Sequence, residues 1–215
     1  MVAAQTTDAF EARVRPGPEP DPDELDQRVV LTGMTWKDYE ILLAIRGERS
    51  RPRIYYLKGE IELMNPSWDH EDIKTTIARL LEAYADERGL EFNGYGNWTL
   101  KRARRERGAE PDECYILNAR KKPKPDLAIE VVWTHGGLDK LEIYRGLGVR
   151  EVWIWDRQRS LQIHILHGRR YELSERSDLL PELDHKWLVS FLDYPTQSQA
   201  VRALRAAMRG SGEKP

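Results

Sequence analysis

Four residues of types that carry acid–base or metal chemistry stand where their apolar neighbours predict burial. Glu130 lies inside KPDLAIEVVW (124–133), whose Leu127, Ala128, Ile129, Val131, Val132 and Trp133 read as a strand covered on both faces. An isolated carboxylate there is costly or stays protonated, so a cation, a metal or a hydrogen-bond donor must stand beside it. Asp112 begins the run DECYIL, ahead of Tyr115, Ile116 and Leu117. Lys140 precedes Ile143, Tyr144 and Leu147 at helical intervals, which places it on the inward stripe of a short helix. His70 has the same relation to Ile73, Lys74, Ile77 and Leu81. Two carboxylates, an ammonium and an imidazole thus point towards one sheet. Hard carboxylate oxygens suit Mg²⁺, which takes one or two protein carboxylates and keeps several waters. A lysine beside such an ion orients a water or neutralises charge developing on a phosphate. Those are the parts of metal-assisted phosphodiester hydrolysis. The blander readings are a metal-free buried ion pair for Glu130 and Lys140, a turn for Asp112 in EPDE, and a surface position at a helix start for His70.

The elements that must hold these residues follow from periodicity. RPGPEPDPDELD is rich in proline and acid and predicts an extended or disordered arm over residues 1–28. MTWKDYEILLAI has helical spacing with Thr35 as N-cap. PRIYYLKGEIELMNPS reads as a hairpin turning at Lys58-Gly59. WDHEDIKTTIARLLEAYADERG is the longest helix, capped by Ser67 and closed by Gly89. FNGYGNWTLK, DECYILN and PDLAIEVVW read as three strands, separated by the polar segments RARRERGAEP and ARKKPK. GLDKLEIYRGLG is a short helix leading into the strand VREVWIWD, and this crossover implies parallel neighbours. LQIHIL and RRYELS form a further hairpin, and TQSQAVRALRAAMRG an amphipathic helix. The expectation is an α/β (α+β) fold: a central mixed sheet flanked by helices, in the order α-β-β-β-α-β with an additional hairpin at each end. The core domain runs over 29–195, the terminal helix over 196–209 and a tail over 210–215.

Composition narrows the class. With 215 residues and a net charge of −2, the chain supports one domain and no global attraction to nucleic acid or anionic membrane. It has no apolar run long enough to span a bilayer and no secretory signal, and a single cysteine, Cys114, precludes an internal disulfide. A cytoplasmic protein is expected. Cys114 reads as a small buried apolar residue rather than a nucleophile. His164 and His167 fall on opposite faces of a strand and do not form a zinc pair. GYGNW carries no phosphate-loop lysine and no dinucleotide fingerprint, so no nucleotide cofactor is expected. Local charge is more telling: Lys101, Arg102, Arg104 and Arg105 in KRARRERG, and Lys121 and Lys122 in KKPK, flank the strands that carry the acids. They could hold a nucleic-acid backbone, with affinity that falls as salt rises.

The ordered set GEIELMNPSWDHE, PD at 111–112, PDLAIEV and DKLEIYRGLGVREVWIWD resembles the PD-(D/E)XK nuclease superfamily and, more narrowly, the Uma-two family of restriction-endonuclease-like proteins, over roughly residues 33–190. The resemblance implies a restriction-endonuclease-like core and a Mg²⁺- or Mn²⁺-dependent site that cleaves DNA. In it Asp112 and Glu130 are metal ligands, Lys140 is the catalytic lysine, His70 assists from the first helix, and Asp126 is a first- or second-shell aspartate. Where the superfamily usually has lysine, this chain has Val132, and Lys140 on the following helix takes its place. Val132 also sustains the alternative of an inactive nucleic-acid-binding or dimerising scaffold; a third reading is a toxin-like or regulatory protein whose terminal helix, Gln197 to Met208, docks on a partner. DNA and a second copy of the chain in a two-fold homodimer are the expected partners.

Overall fold

The computed structural model describes residues 25–134, 136–157 and 160–210. Its elements are β1 (Gln27–Thr32), α1 (Trp36–Arg46), β2 (Arg53–Leu57), β3 (Glu60–Asn65), α2 (Trp68–Arg88), β4 (Phe92–Gly94), β5 (Leu100–Arg102), β6 (Arg107–Ala109), β7 (Glu113–Leu117), β8 (Leu127–Val132), α3 (Lys140–Leu147), β9 (Glu151–Asp156), β10 (Leu161–His167), β11 (Arg170–Ser174), α4 (His185–Ser190) and α5 (Gln197–Gly210). The mixed α/β class is as expected, with the strands divided between two sheets. One is antiparallel, in the order β1-β3-β2-β6-β5, and the other follows β11-β10-β9-β8-β7-β4. Only β8 and β9 pair in parallel, and α3 is their crossover.

The layers follow from which face each strand buries. Leu127, Ile129 and Val131 of β8 pack with Leu80, Leu81, Ala200 and Leu204 of α2 and α5. On the other face, Ala128 and Val152 meet α3 and the inner face of the first sheet through Tyr55 and Met64. The outer face of that sheet carries Ile54, Tyr56 and Ile61, which Tyr39 of α1 covers. The centre of the first sheet, β2 and much of β3, is therefore buried on both sides, as is β8, while β1 stays largely exposed. Local signals hold the helices in place. Thr35 and Asp38 form a capping box on α1, and Ser67 accepts from His70 N at the start of α2. Lys58 and Gly59 both have positive φ, as a two-residue hairpin turn between β2 and β3 demands.

Three differences from the sequence reading bear on the site. The single strand expected over FNGYGNWTLK is two, β4 and β5, placed in different sheets; Gly96 has positive φ between them. RARRERGAEP, expected to be a polar connection, contains β6. Its Gly108 leaves room for the Tyr39 ring, since a Cβ there would lie 2.3 Å from the phenol oxygen. The arm expected over 1–28 overlaps β1, whose Gln27 pairs with Asn65, and Asp26 is already buried. Residues 1–24 of that arm and 211–215 of the expected tail lie outside the described residues. The terminal helix packs on its own chain: Arg205 and Arg209 bind Glu87 of α2, and Leu204 is fully buried. No helix among the described residues is long and apolar enough to cross a membrane.

Candidate active site

The acids meet because β7 and β8 pair with Glu113 opposite Ile129. One step further along the same register sets Asp112 opposite Glu130, and residues so paired present their side chains on one face with Cβ atoms about 5 Å apart. That face looks towards α3, whose first residue is Lys140, and towards the inner face of the first sheet, where alternation brings Arg53 and Tyr55 from β2 and Glu62 from β3. All three acids, Glu62, Asp112 and Glu130, are at most 2% exposed.

Asp112 is held entirely by donors. Its Oδ2 accepts from Val131 N at 2.6 Å; its Oδ1 meets His70 Nε2 at 2.9 Å and pairs with the Arg53 guanidinium. Arg53 reaches on to Glu71 at 2.8 Å. His70 is fully buried and lies between two acids, with Nδ1 3.1 Å from Asp26 Oδ2. Burial pushes the Asp26 carboxyl up, but its hydrogen bond and charge contact with His70 more than offset this and leave it below its ordinary value. His70 was expected close to the site and reaches it only through Asp112, because both ring nitrogens are engaged. It positions Asp112.

Glu130 has a different setting. Its two oxygens accept from the Tyr144 and Tyr55 hydroxyls, and no cation lies within ion-pair distance among the described residues. Burial raises its carboxyl above the usual range, and the Lys140 charge only partly opposes this. The Lys140 ammonium binds Glu62 at 3.1 Å and stands over the Tyr55 ring. Burial also pushes Lys140 down, against the pull of Glu62 and Glu130. Glu62 further binds Arg28 Nε at 3.0 Å and accepts from Leu138 N at 2.6 Å. The Lys140 charge thus reaches Glu130 from α3 while the ammonium itself is bound to Glu62.

The donor chemistry of this centre fits a divalent cation with two protein carboxylates. Glu130 is buried with neutral hydrogen-bond donors only, and an ion beside it would add to the positive charge that Lys140 and Arg53 supply in part. Asp112 offers hard oxygens but already faces Arg53, so an ion there shares that carboxylate with a guanidinium. Among the described residues, no group of three or more His, Cys, Asp or Glu side chains is arranged to hold a metal.

Other expected residues lie elsewhere. Asp126 is on the same face as Glu130, yet four residues of strand separate them by about 13 Å. Its carboxylate accepts from Leu117 N and Lys122 Nζ at the far end of β7, so it belongs to no shell of the centre. Lys101 pairs loosely with Glu40, Arg102 donates to Gly146 O, and Arg104 and Arg105 sit in an exposed turn after β5. Lys121 is exposed. Cys114 is buried, and burial pushes its thiol up to about 12, which suits an inert core residue. Sequence reasoning missed Arg53, Tyr55, Glu62, Tyr144 and Asp26 as parts of the centre. A signal for Glu62 existed: Ile54, Tyr55, Tyr56 and Leu57 are apolar at both parities, so both faces of that hairpin had to be covered.

Of the comparisons with known proteins, the family model agrees with the resemblance in the motifs. No curated protein matches the chain. A solved structure, described as a putative nuclease belonging to DUF820 from Anabaena variabilis ATCC 29413, is similar over 75% of this chain and 96% of its own, at 12% identity and a TM-score of 0.42. The family model Uma2, described as "Putative restriction endonuclease", matches residues 36–191, a span that contains β2, β3, α2, β7, β8 and α3; Asp26 and Arg28, which also touch the centre, lie before it. The chain belongs to the Uma2 (Uma-two) family.

Proposed function

We propose that the chain is an endonuclease that hydrolyses phosphodiester bonds in DNA with the help of Mg²⁺ or Mn²⁺. What supports the reading is one juxtaposition: a buried, cation-poor Glu130 opposite Asp112, with the Lys140 ammonium held by Glu62 above them. Asp112 and Glu130 would hold the ion, which supplies a Lewis acid and an activated water when bound. Lys140 is fixed at the start of α3 by Glu62 and the Tyr55 ring, so its ammonium is aimed without further ordering. There it neutralises charge that builds on a phosphate, and its lowered pKa eases proton exchange with a water. In the reaction a water oxygen bonds phosphorus, one P–O ester bond breaks, and the leaving oxygen takes up a proton. His70 and Val131 N hold the Asp112 carboxylate in place. A two-fold homodimer would set one centre on each strand of a duplex.

A second reading is favoured by the saturation of Asp112: a nuclease fold that binds nucleic acid or dimerises without turnover. The two are separated by supercoiled DNA and by melting. With Mg²⁺, wild type nicks the plasmid and Lys140→Ala does so at least about 100-fold more slowly; Mg²⁺ raises the melting temperature of wild type and leaves that of Glu130→Gln unchanged. Absence of both effects establishes the scaffold.

A further inference from the structure

The two basic runs, separate in sequence, meet at the opposite end of α3 from Lys140. Between β5 and the β7–β8 connection lies a cavity of about 310 Å³, lined by Leu100, Lys101, Arg102, Pro123, Lys124 and Leu147. Leu100 and Leu147 are nearly buried and form an apolar floor, while three cations and no carboxylate form the rim. Arg102 donates to Gly146 O and Lys124 to Gly148 O, so both side chains are pinned by carbonyls at the α3 C-terminus. Among the described residues, neither forms an ion pair with an acid. The nearest acidic influence on Lys124 is Asp126, whose carboxylate is already taken by Lys122. Lys101 has only a long exposed contact of 3.6 Å with Glu40. Arg102 and Lys124 therefore repel each other: burial first, and then the Arg102 charge, push the Lys124 ammonium down.

Two exposed cations held near each other by carbonyls, with no acid paired to either, make a rim that an anion can enter from solvent. We propose that this cavity is a phosphate-binding subsite, in which Arg102 and Lys124 clamp one phosphate group and Lys101 closes the rim. An arginine fork and a lysine point charge are a good match for a phosphate's oxygens. Seating an anion removes the repulsion between the two cations. Helix α3 has eight residues, so the subsite lies about 10 Å from Lys140, roughly three nucleotides along one strand of a duplex. Resting on the proposed function, the subsite takes a backbone phosphate flanking the bond that is cut. Its chemistry is equally open to a free phosphate or a mononucleotide, and the test keeps these apart.

Binding of a fluorescent oligonucleotide, measured by anisotropy in EDTA across a salt series, decides the matter. Arg102→Ala with Lys124→Ala should weaken binding by about tenfold and lower the slope of log affinity against log salt by about 1. Lys124→Arg should recover most of the loss, and Lys186→Ala, an exposed charge on α4, should stay within about twofold. Affinity and slope unchanged in the double variant would overturn the subsite and leave the nuclease reading standing. If wild type binds no oligonucleotide, titration with inorganic phosphate and with a mononucleotide, followed by amide chemical shifts, still decides. Saturable shifts at 100–102, 124 and 147 support a subsite for small phosphates, and their absence sinks it. Unchanged circular dichroism and melting of each variant exclude loss of the fold.

Discussion

Asp112 and Glu130 are cross-strand neighbours of nearly equal burial, yet the protein surrounds them in opposite ways. Around Asp112 it places Arg53, His70 and a backbone amide, and the carboxylate is compensated within the fold. Around Glu130 it places two phenols and keeps the nearest ammonium bound to Glu62. Breaking a buried ion pair strands a charge and is strongly destabilising. A buried carboxylate with neutral donors alone stays poised to accept a cation. The first arrangement stabilises the fold, and the second favours chemistry over stability. Burial raises the Glu130 carboxyl, the kind of perturbation on which the proposed metal-binding role would draw.

The contrast can be broken most forcefully at Arg53. Arg53→Met leaves Asp112 and Glu71 without their shared guanidinium and should cost about 3–5 kcal/mol, a fall in melting temperature of about 10 °C. A loss no larger than that of a surface arginine would mean that Asp112 is not compensated by the fold. Glu130→Gln should act in the opposite direction. A carboxyl held above its ordinary value of 4.5 keeps its proton more tightly when folded. The stability it carries is therefore complete below about that pH and is lost as pH rises through the folded value. Glutamine, which has no charge to bury, should melt about 3 °C higher than wild type at pH 8, with the gain fading towards pH 4. A constant difference across that range would remove desolvation as the cause. The mildest change is Tyr144→Phe, which removes one donor to Glu130 and should cost about 1 kcal/mol without altering the Arg53 effect. Thermal melts of the single and double variants would show whether the two neighbourhoods are independent.

Much of the centre could be read from the residues alone, and the reasons are local. Glu130 was conspicuous because five apolar neighbours flank it in its own strand, and Lys140 because Ile143, Tyr144 and Leu147 fix the inward stripe of α3. Asp126 was misplaced because period-two alternation assigns a face and carries no information about position along the strand. Arg53 was invisible for the opposite reason. An arginine at the start of a hairpin looks wet, and only the packing of that hairpin against the start of α2 and against Asp112 covers it. The split of FNGYGNWTLK into β4 and β5 depends on which sheet each half joins, a long-range choice that no local pattern records.

By itself, the sequence determined the helices and their caps, the hairpin turns, the parallel pair around α3, and which polar residues had to be buried. These rest on periodicity and backbone chemistry within a few residues. The tertiary structure alone decided what those polar residues touch: Arg53 and His70 as the partners of Asp112, Glu62 rather than Glu130 as the partner of Lys140, and the meeting of two distant basic runs at one cavity. Partners of a buried charge come from segments tens of residues apart, and the electrostatics that separates a compensated acid from a poised one exists only once the sheets have packed.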